Sequence, residues 1–96
     1  MSTSQQTGTR RYRNGVPTDH DRIIEAGIRW FNTLRATGVA SNDFRLQNDP
    51  QLWVKPGGAG RIYEGYVSQG DYACGKVTIT IDQDGRTLHF SFVLFD

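Results

Sequence analysis

The stretch GKVTITIDQDGRTLHFSFVLFD, residues 75–96, constrains the fold more than any other part of the chain. Apolar and polar residues alternate on both sides of an Asp-Gly pair, the pattern of a β-hairpin whose two-residue loop pairs Gln83 with Arg86. Stepping outward, Ile81 meets Leu88, Ile79 meets Phe90 and Val77 meets Phe92, so six large apolar residues share one face. A slip of one residue would turn them all to the other side. The opposite face then collects Thr80 with His89, Thr78 with Ser91, Lys76 with Val93 and Cys74 with Phe95.

The preceding run, RIYEGYV, reads as a third strand, joined through SQGDY. A two-residue loop there would drive the Glu64 carboxylate into the core, where an unpaired charge is costly. The expectation is therefore a three-residue loop with Gly70 in the left-handed conformation, pairing Ser68 with Tyr72. That register sets Tyr63 opposite Val77, Glu64 beside Lys76, and Tyr66 in one row with Cys74 and Phe95. Earlier still, DFRLQ and QLWVK flank Asn48-Asp49-Pro50, which predicts a first short hairpin.

Before these strands the period changes. Ile23, Ile24, Gly27, Ile28, Trp30, Phe31 and Leu34 fall on one stripe at helical spacing, with Arg22, Glu25, Arg29 and Thr33 opposite. Thr18 and Asp21 suit an N-terminal capping box and Gly38 suits the stop. Gly27 costs this helix about 1 kcal/mol relative to alanine, and close approach to a strand is the simplest compensation. The fold class expected is α+β: one N-terminal amphipathic helix packed on one face of a four- to five-stranded antiparallel meander sheet. Residues 1–16 are polar and lack apolar periodicity, so they are expected to be a disordered or loosely docked basic arm, with 17–96 as a single domain.

Composition narrows the function classes. The chain has no apolar run near the roughly 20 residues needed to span a bilayer, and its 11 basic and 10 acidic residues nearly cancel. One cysteine forms no internal disulfide, and the first residues lack the apolar centre of a secretory signal, so the expected setting is the cytoplasm. Cys74 and His89 invite a nucleophile–base pair, but the hairpin register sets them six residues apart along the strands, roughly 20 Å. The histidines and cysteine are not at metal-ligand spacing, so no metal or cofactor is expected. KPGGAGR resembles a phosphate cradle, yet a strand follows it where a phosphate loop needs a helix.

Without a catalytic set, the expected function is a small non-enzymatic protein-interaction module, of the inhibitor, immunity or accessory-subunit type. It would bind a protein partner or a second copy through the outer sheet face or edge, at Tyr66, Val93 and Phe95 with Glu64 and Lys76 beside them. The alternative is a nucleic-acid-binding protein that uses Arg10, Arg11 and Arg13 of the arm with Lys55, Arg61 and Trp53 around the glycine-rich loop.

Overall fold

A computed structural model describes residues 5–53 and 61–95. Its elements are β1 (Gln5–Arg11), α1 (His20–Ala36), β2 (Phe44–Leu46), a 3-10 turn (Pro50–Leu52), β3 (Ile62–Gln69), β4 (Tyr72–Ile81) and β5 (Thr87–Leu94). The five strands form one antiparallel sheet in the order β1-β5-β4-β3-β2, with α1 against one face. The expected α+β class, with a helix on an antiparallel sheet, is the architecture found.

The helix begins where its charges favour it. Asp19, rather than Thr18, is the N-cap, its carboxylate accepting from the Asp21 amide at 3.0 Å. Gly38, at φ 81°, follows the C-terminal turn. The apolar stripe is buried as expected at Ile23, Ile24, Gly27 and Phe31, with Ala26 added, while Ile28, Trp30 and Leu34 pack from the margin. Gly27 does bring the helix close to a strand: a Cβ there would stand 2.5 Å from Ile79 Cδ1.

The β4–β5 register is the one expected, with Ile81 opposite Leu88, Ile79 opposite Phe90 and Val77 opposite Phe92. The connection is wider than a two-residue loop. Gly85, at φ 69°, donates its amide to Asp82 O, and the ladder closes at Asp82 and Thr87 instead of Gln83 and Arg86. Because the turn is widened symmetrically, the pairing beyond it is unchanged.

The β3–β4 connection corrects the expected three-residue loop. Gln69 pairs with Tyr72, leaving a two-residue loop at Gly70-Asp71, and a bulge between Val67 and Ser68 makes Cys74 an extra residue on β4. Loop and bulge each shift the pairing by one, so together they keep Tyr63 inward and Glu64 outward. Tyr63 consequently faces Ile79 instead of Val77, and Tyr66 faces Lys76 instead of Cys74.

Two further expectations give way. Among the described residues the hairpin predicted across Asn48-Asp49-Pro50 does not form: Asp49 caps the 3-10 turn by accepting from Gln51 N, Pro50 opens it, and β2 pairs with β3 instead. Within the segment expected to be disordered or loosely docked, residues 5–11 form β1, an edge strand paired with β5 along its whole length. Its inward positions carry Gln6, Gly8 and Arg10, so apolar periodicity could not reveal it; Trp30 covers Gly8 from the helix, where a Cβ would overlap its indole nitrogen. Trp30 also stacks on Phe90, ring centroids 5.4 Å apart.

Candidate functional site

Four strands set out the face that α1 leaves uncovered. Pairing across β1, β5, β4 and β3 makes rows of Gln5, Val93, Lys76 and Tyr66; of Thr7, Ser91, Thr78 and Glu64; and of Thr9, His89, Thr80 and Ile62. Its centre is a shallow hydroxyl-lined hollow of about 310 Å³ bordered by Thr7, Thr9, Thr78, Thr80, Ser91 and His89. His89 Nε2 stands 3.8 Å from the Asp82 carboxylate at the turn end.

The other end is apolar. Tyr66 and Phe95 are 45% and 44% exposed while their rings touch, centroids 6.3 Å apart. Phe95 is held there by its amide, which donates to Cys74 O at 2.8 Å. Val93 is half-buried beside them, and Lys76 Nζ lies 3.2 Å from Glu64 Oε2, an ion pair that survives the corrected register as a diagonal contact. Exposed Leu52, missed in the sequence reading, joins Tyr66 around an open groove of about 530 Å³ between the 3-10 turn and β3. Thus the five side chains expected to bind a partner lie together on one face.

The basic side chains divide into separate groups. Arg11 and Arg13 line a hollow of about 390 Å³ with Arg86, which the sequence reading did not single out. Only the pairing of β1 with β5 brings Arg86 to them. Arg10 lies over the Tyr12 ring at 4.9 Å and lines a second groove with Arg22 and Arg29 on α1. Arg61 is committed elsewhere, donating to Asp82 O and Ile81 O. Trp53 is 1% exposed and its Nε1 donates to Gln47 O at 2.8 Å, so its ring offers no stacking surface. Lys55 and the rest of the glycine-rich loop before Arg61 lie outside the described residues.

Several titratable groups are engaged within the fold. Burial pushes the Cys74 thiol up, away from the thiolate a nucleophile needs, and the ladder keeps Cys74 and His89 at separate ends of the hairpin. His20 Nδ1 is hydrogen-bonded to the Tyr63 hydroxyl, whose own ionisation is pushed up by burial. The Arg86 amide, assisted by the hydroxyl and amide of Thr87, holds the Asp84 carboxyl below its usual range. Among the described residues, no three His, Cys, Asp or Glu side chains group as a metal site. Comparison with known proteins brings no match: no protein family, no curated protein and no solved structure.

Proposed function

We propose that this chain is a small non-enzymatic interaction module that binds a protein partner through the apolar end of its outer sheet face. The carrying observation is the Tyr66–Phe95 contact: two aromatic rings packed on each other yet each nearly half exposed, flanked by Val93 and Leu52. Aromatic patches rimmed by polar and charged groups are characteristic of protein contacts, and the Glu64–Lys76 pair supplies such a rim. A single cysteine, left as a free thiol, fits action in a reducing setting such as the cytoplasm.

The test is affinity capture with tagged wild-type protein and with Phe95→Asp, each with and without nuclease, read by mass spectrometry. A partner held by wild type, lost on Phe95→Asp and indifferent to nuclease supports the reading. Equal capture by both proteins rejects it.

A second reading, nucleic-acid binding, draws on the hollow lined by Arg11, Arg13 and Arg86. Guanidinium groups grouped in this way suit phosphate oxygens. Binding of a single-stranded oligonucleotide that weakens steeply with salt, and on Arg86→Ala, would favour it; no binding at low salt would end it.

A further inference from the structure

We propose that two copies of this chain pair edge to edge through β1, antiparallel about a twofold axis at Gly8, to form one continuous sheet. This deepens the interaction reading by naming a second copy as the occupant of the sheet edge. It uses a surface apart from Tyr66 and Phe95, so the two can fail separately.

The sheet has two edges, and among the described residues the β2 edge is the more blunted. β2 is three residues long, and Arg35 Nη1 donates to its Phe44 carbonyl at 2.8 Å. Short strands and covered backbone groups are the usual protection against unwanted pairing. β1 has neither. It runs for seven residues in unbroken register with β5, without proline or bulge. Tyr12 N donates to Arg86 O just before β5, so by alternation Gln6, Gly8 and Arg10 direct their backbone groups toward β5. Gln5, Thr7, Thr9 and Arg11 direct theirs out along the open edge.

The strand's sequence, QQTGTRR, is close to symmetric about Gly8. When two such strands meet antiparallel around that glycine, Thr7 faces Thr9 of the second copy, Gln6 faces Arg10 and Gln5 faces Arg11. Threonine pairs across strands favourably, and glutamine carbonyls accept from guanidinium groups. Each outward-directed pair exchanges both backbone hydrogen bonds. Sliding the strands to bring Arg10 opposite its own copy sets like charges face to face, and sliding them the other way leaves strand unpaired. Gly8 is thus the register that uses the whole edge.

The helices leave room for this arrangement. α1 packs chiefly over β4 and β5, so four strand spacings of about 4.8 Å set the two helices roughly 20 Å apart, against a helix diameter of about 10 Å. Trp30, which covers Gly8, stands beside the axis in each copy and fills part of that gap.

Light scattering after gel filtration, over a concentration series, should give a mass rising to twice the chain's 10.8 kDa. Thr9→Pro removes an amide that points away from β5, and Gly8 before it has no Cβ for the ring to strike. This variant should keep the wild-type circular dichroism and stay monomeric throughout the series. In a Cys74→Ser background, oxidising a mixture of Thr7→Cys and Thr9→Cys chains should yield a mixed disulfide dimer, with far less cross-linking by either chain alone. Phe95→Asp should dimerise as wild type does. A monomer at every concentration, a dimer that survives Thr9→Pro, or no mixed cross-link overturns the proposal.

Discussion

Replacing Gly65 with alanine tests how Trp53 is held, and with it whether that ring is core or contact surface. A Cβ at Gly65 would overlap Trp53 Cε2 and Cζ2 and stand 2.7 Å from Cδ2. These are atoms of a rigid fused ring. The indole has little freedom to retreat, because Nε1 is bonded to Gln47 O at 2.8 Å and Cη2 lies 3.7 Å from where a Gly27 Cβ would be. Overpacking a core costs about 1–3 kcal/mol, and a pinned aromatic belongs at the top of that range. Alanine recovers about 0.5–1 kcal/mol of the entropy that glycine loses in a strand, so Gly65→Ala should lose about 2 kcal/mol. At about 4–8 °C per kcal/mol for a domain of this size, Tm should fall by about 8–16 °C.

Gly27→Ala is the control. There the new Cβ meets Ile79 Cδ1 at 2.5 Å and Cγ1 at 3.0 Å, the movable end of an aliphatic chain, while helix propensity improves by about 1 kcal/mol. Its net effect should be within about 1 kcal/mol of zero. Urea and thermal unfolding followed by far-UV circular dichroism measure both variants. If Gly65→Ala is as stable as wild type, or Gly27→Ala is the more damaging of the two, the packing of Trp53 between helix and sheet is wrong.

Other perturbations separate core from surface. Phe92→Ala removes a ring that meets Phe31 at 5.0 Å and Phe44 at 6.1 Å; it should cost about 3–5 kcal/mol by denaturant titration, as should Phe90→Ala beneath Trp30. Phe95→Asp, on an exposed ring, should change stability by no more than about 0.5 kcal/mol while reducing partner capture. The Arg86 amide holds the Asp84 carboxyl below the ordinary carboxylate range, so its stabilising effect is present above that range and disappears as pH falls through the lower folded value. Asp84→Asn should therefore flatten the acid limb of a Tm-against-pH curve, and an unchanged limb would count against the turn described here.

Legibility in the sequence followed burial. The α1 stripe and the Val77, Ile79, Leu88, Phe90 and Phe92 face were readable because each repeats at its element's period and each is buried. Tyr66 and Phe95 share one end of the sheet in the expected register and in the observed one, since the loop and the bulge offset each other in parity. What escaped the sequence lacked periodic apolar residues. β1 is held by backbone pairing and by a tryptophan lent from the helix, and the Asp49-Pro50 signal caps a 3-10 turn as readily as it turns a hairpin. Arg86 escaped for the same reason as β1: its neighbours Arg11 and Arg13 reach it only through a pairing between distant parts of the chain.

The β1–β5 pairing also orders assembly. β3, β4 and β5 can zip together through short turns, and β2 joins β3 from nearby. Among the described strands β1 comes first in the chain and its partner β5 comes last, so closing this long loop is the slowest contact in the sheet. Until it closes, β5 offers an open slot that any copy's β1 fits. In refolding, amides shared by β3, β4 and β5 should therefore gain hydrogen-exchange protection before those of β1.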